Sequence, residues 1–351
     1  MRNAIKTVGI VFGGVSGEHE VSIKSARTII HALKHPININ KFDVISIYID
    51  KKGKWWPSEI AEKVLESDPN FDKNIFFKQV EFIGLDHLPK ETEKIQIWFP
   101  VLHGPNGEDG SIQGFFQLTG KPYVGSGVLG SALGMDKIAM KAAFSAAGLP
   151  QVNYCEIHSI DLLDKKRLSY LIQKIETQLG YPCFIKPANL GSSVGISKAY
   201  DKKELLNGLD LAAQLDSRIV VEKNIKAREL ECAVIGKKQI KTSCVGEVRY
   251  SSDWYDYDSK YSKNSTKTLI PAPIPEKISK EVQSLSILAC KAISAEGIAR
   301  VDFFYDEEKD SLWINEINTM PGFTEQSMYP MLWDASGIDI SQLVARLIES
   351  A

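Results

Sequence analysis

Between residues 8 and 102, short apolar runs with strand character alternate with an amphipathic helical stretch, and that rhythm leaves few folds open. Residues 8–12 read as a strand that runs into a Gly13–Gly14 turn. Residues 20–33 carry helical periodicity, with Ser22 and Ser25 on the polar side, and residues 42–49 and 95–102 read as further buried strands. Strand, helix, strand in this order predicts a parallel sheet covered by helices. The stretch 51–94 is polar, broken by Trp55, Trp56, Phe71, Phe76 and Phe77, and has no period. A Gly-rich segment at 120–134 reads as a boundary, followed by a helix at 136–147. Strands are expected at 183–186 and 219–222 around a helix at 202–214, then at 231–235, 300–305 and 312–317. A polar, aromatic loop lies at 251–268. The 351 residues have room for about two to three domains. The expected fold class is α/β and α+β.

Several familiar signatures fail. Gly125-Ser-Gly127-Val-Leu-Gly130 spells GxGxxG but does not follow the first strand, and no acid ends the next strand where a dinucleotide site requires one. It reads as a tight turn between domains. Gly191-Ser-Ser193-Val-Gly195 spells GxSxG, yet no histidine follows His158, so the hydrolase order is impossible. His19-Glu20-Val-Ser-Ile23 has Ile where a zincin places its second histidine, and no GxxxxGK[ST] occurs. Lys+Arg 42 against Asp+Glu 44 leaves a formal charge of -2, which disfavours nucleic acid as a partner. No apolar run is long enough for a membrane span. The 5 cysteines include no CxxC pair, as expected of reduced thiols in a cytoplasmic protein.

What remains suits phosphate and a hard cation. Phe184-Ile185-Lys186 leads into a loop through Gly191, Ser192, Ser193 and Gly195, where backbone N–H groups, two hydroxyls and the Lys186 ammonium can meet phosphates. An ordinary Gly/Ser turn explains the same residues. Arg300-Val-Asp302 and Glu316-Ile-Asn318 lie on two strand patterns joined by a polar turn. A hairpin there sets Asp302 opposite Glu316, with Asn318 on the same face. Oxygen ligands without His or Cys suit Mg²⁺; the alternative is a surface pair of like charges. Lys137 and Lys260 can complete a phosphate cage, and residues 220–223 read as a strand entering a hinge where backbone could meet a base.

In order along the chain, these pieces resemble the ATP-grasp superfamily and, within it, the D-alanine–D-alanine ligase family. The resemblance runs through Gly13-Gly-Val-Ser-Gly-Glu18-His-Glu20, Leu102-His103-Gly104, Gly107-Glu-Asp-Gly110, Gly125-Ser-Gly127 and Met135-Asp136-Lys137. It continues through Lys186-Pro, Gly191-Ser-Ser-Val-Gly195, Tyr255-Asp-Tyr257, Lys260-Tyr261, Arg300-Val-Asp302 and Asn315-Glu316-Ile-Asn318-Thr-Met-Pro-Gly322. It leaves 51–94 unexplained.

The resemblance implies a three-domain architecture. Residues 1–125 would hold the first D-alanine subsite, 126–222 the phosphate loop, and 223–351 the metal site and closing loop 251–268. It implies ATP-dependent joining of two D-alanines through an acyl phosphate, or, as the alternative in the same fold, formation of D-alanyl-D-lactate or D-alanyl-D-serine. Lys137, Lys186, Ser193 and Lys260 would hold phosphates. Asp302, Glu316 and Asn318 would hold two Mg²⁺ (or Mn²⁺). Glu222, Lys223, Ile225 and Glu229 would hold adenine and ribose, although Lys226-Ala-Arg-Glu229 departs from the commoner Gly-Pro-Glu. Glu18 would meet the first D-alanine ammonium with His103 nearby, and Ser327 and Met328 would bind the second D-alanine. Arg300 and the Gly322 N–H would stabilise the oxyanion. Glu18, Ser192 and Tyr261 would shut the loop, and a tyrosine at 261 favours peptide over ester. A homodimer in the cytoplasm, with no nucleic acid or membrane partner, completes the implied picture. An idle nucleotide-binding module is the rival of another class, but it has no need of oxyanion donors.

Overall fold

The computed structural model describes residues 4–67, 88–191, 194–250 and 266–351. Strand β1 (Lys6–Gly13) is buried from Val8 onward and feeds helix α1 (His19–Lys34); β2 (Phe42–Ile49) follows. The irregular stretch holds a short strand, β3 (Trp55–Trp56), and helix α2 (Ser58–Glu66); Phe71, Phe76 and Phe77 lie outside the described residues. Strand β4 (Ile97–Val101) completes a sheet of order β3-β2-β1-β4, in which β1 runs parallel to both β2 and β4. This is the expected parallel sheet. Gly13 ends β1 at φ 94, where a Cβ would collide with the Ile49 carbonyl oxygen. Only glycine permits that close approach, which turns the chain toward α1.

The polar side assigned to α1 needs correcting. Ser22 and Ser25 are fully buried. Ser22 Oγ accepts from the Gly13 N–H at 2.7 Å and donates to the Val101 carbonyl, so it joins the ends of β1 and β4 to the helix. A hydroxyl can face a core when local backbone groups satisfy it. His19, of the failed zinc motif, is likewise structural: Nδ1 lies 2.7 Å from the Gly14 carbonyl and Nε2 3.0 Å from the Tyr48 hydroxyl.

Helix α3 (Ser111–Leu118) precedes α4 (Val128–Met135) and α5 (Lys137–Ala146). The second half of the Gly-rich segment read as a boundary is α4, while residues 120–127 lie outside a helix. The glycines of α4 serve close packing: a Cβ at Gly130 would run into the Ser294 carbonyl, and one at Gly134 would sit 2.7 Å from Thr319 Cγ2. Asp136 caps α5, its side chain accepting from the Ala139 N–H at 2.8 Å.

A second sheet follows, built from β5 (Tyr154–His158), β6 (Cys183–Pro187), β7 (Ser197–Ala199) and β8 (Arg218–Lys223), with helices α6 (Lys165–Gln178) and α7 (Lys202–Leu215) interleaved. Its order is β5-β8-β6-β7 and its pairings are antiparallel. The third sheet comprises β9 (Arg228–Gly236), β10 (Lys241–Tyr250), β11 (Thr266–Leu269), β12 (Gly297–Asp306) and β13 (Ser311–Asn318), with helix α8 (Glu276–Ile293) before β12. Its order is β11-β10-β9-β12-β13, antiparallel throughout. Two helices end the chain, α9 (Met328–Ala335) and α10 (Ile340–Glu349). α10 returns to the first sheet's layer: Leu343 and Leu347 share one core with Ile29 and Leu33 of α1, and Asn38 Nδ2 donates to the Ser341 carbonyl at 2.9 Å.

Candidate active site

One face of the third sheet is apolar; the other is apolar around Ala233, Ile235 and Ile298, which join the first sheet's core, and ionic beside them, with side chains alternating along each strand. Val301, Phe303, Ile314 and Ile317 point into the core, whereas Arg300, Asp302, Glu316 and Asn318 share the opposite face. The register sets Asp302 against Glu316 and Arg300 against Asn318, as the hairpin reading requires. A bulge follows at once, since Phe303 pairs with Ile314. The adjacent strand adds Glu231 opposite Asp302 and Glu229 opposite Phe304. Arg300 grips Asp302 with both prongs, Nε to Oδ1 and Nη2 to Oδ2 at 2.7 Å each, and its Nε lies 2.9 Å from Glu231 Oε2. Burial works against the guanidinium charge, but Asp302 and Glu231 more than offset it and hold its pKa well above the ordinary value. Asn318 Nδ2 donates to Asp302 Oδ2 at 3.0 Å.

Among the described residues no three His, Cys, Asp or Glu side chains converge as a metal cluster. A metal here must therefore rely on Asp302, Glu316 and the Asn318 amide. Two carboxylates and an amide are hard oxygen donors, and the like-charged pair Asp302–Glu316 sits directly opposite across the hairpin. That donor set fits Mg²⁺ or Mn²⁺, which accept few protein oxygens and keep other positions for phosphate and water.

Cations approach from the other side. Lys137 opens α5, its Nζ donating to the Leu190 carbonyl at 2.6 Å beside the phosphate loop. Lys186 lies on β6, next to β8. Glu222, 3% exposed, bridges Lys141 and Lys186, with Oε1 2.7 Å from Lys141 Nζ and Oε2 2.6 Å from Lys186 Nζ. Burial lowers the Lys137 pKa, while for Lys186 burial is outweighed by Glu222, which raises it. Glu316 also acts on both lysines, and Glu229 on Lys186, so the two sheets' charges face a common space. Arg218 of β8 pairs with Asp136, which ties the α5 cap to the second sheet.

Burial would raise the Glu222 pKa, but Lys141 and Lys186 hold it well below the carboxylate range. A depressed folded pKa means stability that is present above the unfolded value near 4.3 and lost as pH falls toward the folded one. The Tm gap between wild type and Glu222→Gln is therefore expected to be full at about pH 6 and to shrink toward about pH 3. Parallel Tm profiles across that range would remove Glu222 from the acid response.

At the ends of β1 and β4 the loops converge on Glu18. A Cβ at Gly104 would lie 3.1 Å from Glu18 Oε2, and one at Gly191 would lie 3.5 Å from it, so this carboxylate sits where the first sheet's loops meet the phosphate loop. His103 is buried, with Nδ1 3.1 Å from the Met320 carbonyl and 3.6 Å from Glu108 Oε1, and Nε2 3.2 Å from Ser25 Oγ. Burial pulls its pKa down, but Glu108, with Glu18 behind it, raises it overall. Burial and the Glu18 charge raise Glu108 in turn, against the pull of His103. Across the gap, a Cβ at Gly322 would lie 3.0 Å from Ser327 Oγ, which accepts from the Thr324 N–H at 3.0 Å. Met328 opens α9 with its side chain in the core, so any substrate contact from it must come through backbone.

The structure thus gathers Lys137, Lys186, Glu222, Arg300, Asp302, Glu316 and Asn318 around one space, with Glu18 and His103 at one edge. Exposed Lys223 ends β8, half-buried Ile225 lies in the connection to β9, and Glu229 is the second residue of that strand. Ser192, Ser193, Lys260 and Tyr261 lie outside the described residues. Sequence reasoning missed Lys141, Glu231 and Ser25; Lys141 was legible only as the residue one helical turn after Lys137.

A parallel sheet followed by two antiparallel ones, with lysines of one set against carboxylates of the other, defines an ATP-grasp architecture. Family models for the D-ala D-ala ligase N-terminus and C-terminus match residues 7–126 and 143–349. The D-alanine–D-alanine ligase of Prochlorococcus marinus strain MIT 9303 is 56% identical over 344 residues, 98% of each chain. That of Synechococcus sp. strain WH7803 is 55% identical over 351 residues, 100% of this chain and 99% of the relative. Among solved structures, the VanG D-Ala:D-Ser ligase of Enterococcus faecalis aligns with a TM-score of 0.83 at 34% identity, covering 99% of both chains. The D-alanine–D-alanine ligase of Coxiella burnetii aligns at 0.81 and 31% identity over 99% of this chain and 95% of that one. The chain belongs to the D-alanine–D-alanine ligase family.

Proposed function

We propose that this chain joins two D-alanines into D-alanyl-D-alanine, with ATP cleaved to ADP and phosphate through a D-alanyl phosphate, in the supply of cell-wall precursors. The observation that carries the reading is the opposed charge array: Lys137 and Lys186 face the sheet that bears Arg300, Asp302 and Glu316. Phosphoryl transfer asks a protein for position and charge neutralisation more than for covalent help, and that array supplies both. Lys137 and Lys186, with Ser193 and Lys260, hold phosphates. Glu222, Lys223, Ile225 and Glu229 frame adenine and ribose. Asp302, Glu316 and Asn318 hold Mg²⁺ or Mn²⁺, which when bound neutralises charge on the phosphates.

Glu18 pairs with the ammonium of the first D-alanine and orients its carboxylate, with His103 alongside. Ser327 and the Met328 backbone receive the second D-alanine. As its amine attacks the acyl carbon, the Arg300 guanidinium and the Gly322 N–H stabilise the oxyanion, a contribution of ~3–4 kcal/mol per donor. Closure through Glu18, Ser192 and Tyr261 keeps water from the anhydride. By the same reading the enzyme is a cytoplasmic homodimer; its five unpaired cysteines suit a reducing compartment, and no described helix is long and apolar enough to cross a membrane.

Phosphate release from ATP and Mg²⁺ with D-alanine, L-alanine, D-serine and D-lactate, followed by mass analysis of products, tests this. Release with D-alanine alone and a D-alanyl-D-alanine product is expected. A mixed D-alanyl-D-serine product would favour the specificity of the Enterococcus faecalis relative, and no release with any substrate would overturn the reading.

A further inference from the structure

Lys141 is the least exposed lysine of the site, at 1%, and it holds the Glu222 oxygen that Lys186 leaves free. It sits one helical turn beyond Lys137, with its ammonium 5.3 Å from the centre of the Tyr154 ring and 2.7 Å from Glu222 Oε1. A buried lysine is costly unless its charge does something. Here one carboxylate is divided between two ammonium groups, with Lys141 on Oε1 and Lys186 on Oε2. If Glu222 served Lys186 alone, that ion pair would be neutral and Lys186 would have little charge left for a phosphate. With Lys141 absorbing half of the carboxylate, the trio carries a net positive charge and Lys186 keeps its attraction outward.

We propose that Lys141 is a positioning residue: through Glu222 it holds the Lys186 ammonium in place and leaves its charge available to the nucleotide's phosphates. The proposal rests on the reading of this space as a nucleotide site, and its test separates the two. ADP and adenosine affinities are measured by titration calorimetry on the full chain with Mg²⁺ present, for wild type, Lys141→Met and the double variant Lys141→Met/Glu222→Gln. Adenosine has the base and ribose but no phosphate. Lys141→Met is expected to weaken ADP binding about tenfold, the size of effect one nearby charge exerts at a partly screened site. Adenosine binding should stay within about twofold, because adenosine has no phosphate for Lys186 to meet and the residues around base and ribose are unaltered in this variant. In the double variant the ratio of ADP to adenosine affinity should return most of the way to the wild-type ratio, because a neutral glutamine no longer withdraws Lys186 and any loss of base contact at position 222 falls on both ligands; a merely structural lysine would give no such reversal.

Unchanged ADP binding in Lys141→Met overturns the proposal. So does equal loss of ADP and adenosine, which would make Lys141 a packing residue. Wild type that binds neither ligand overturns the nucleotide reading itself. Should Lys141→Met fail to fold, Lys141→Gln, polar and able to donate to Glu222, carries the same comparison.

Discussion

Asp302→Asn is expected to lower kcat by about a thousandfold or more while adenosine binding stays close to wild type. The side chain keeps its size, so the effect comes from charge. In the wild type both Asp302 oxygens hold the Arg300 guanidinium at 2.7 Å, and the same carboxylate accepts from Asn318. Asparagine offers one acceptor and one donor, so one prong of the fork meets an N–H. Arg300 then turns toward Glu231, its other partner, and leaves the position from which, on the proposed reading, it would meet the oxyanion. The proposed metal site would lose one of its two carboxylates in the same step. Each loss by itself is on the order of 10²–10³ in rate, and they share one residue. Steady-state phosphate release gives kcat, and calorimetry with adenosine gives the control. A kcat within tenfold of wild type would mean that Asp302 holds neither Arg300 nor the metal.

Gly130→Val addresses stability, with an expected loss of about 3 kcal/mol. Gly130 lies in the middle of α4, where a Cβ would run into the Ser294 carbonyl and stand 3.2 Å from Ala295 Cα. Both obstacles are backbone at the end of α8, so no side chain can swing aside. The helix must lift or the turn must move, and either opens the junction with Ile293, which is fully buried. Glycine's intrinsic helix penalty, ~1 kcal/mol, works the other way, so a packing loss has to exceed it to show at all. Differential scanning of wild type, Gly130→Ala and Gly130→Val should give Tm values falling in that order. A rise with alanine would show that the turn yields.

The fold was legible where side-chain period and burial agree. Strand β2 was read to the residue because all of it is apolar or flanked by apolar positions, and α7 within one residue. The Asp302–Glu316 register followed from period-2 alternation, yet the bulge beside it did not, because nothing in Asn315 or Phe303 marks an extra residue. Ser22 and Ser25 misled because a serine on a helix reads as solvent-facing; the backbone groups that satisfy it, at Gly13, Val101 and Phe323, come from elsewhere in the chain. The helix at Gly130 and Gly134 was not legible: glycine marks a turn in sequence statistics, but here Gly130 lets two backbones touch and Gly134 makes room for the Thr319 side chain. Of the candidate site, the residues that the structure brings together at Lys137, Lys186, Arg300, Asp302, Glu316 and Asn318 belong to compact motifs that stand out in the sequence. Lys141 and Glu231 act through other side chains, and contacts between strands and helices far apart in the chain have no local signature.

The docking of α10 on α1 sets an order of events during synthesis. Ile29 and Leu33 share their core with Leu343 and Leu347, roughly 300 residues further along the chain. At ~5–20 residues per second, the first sheet and its helix emerge from the ribosome roughly 10–50 s before that covering helix exists. During that interval an apolar stripe of α1 faces solvent or a chaperone. The layer built on the first sheet is thus closed only by a helix roughly 300 residues downstream, so that layer cannot be completed from its local sequence alone.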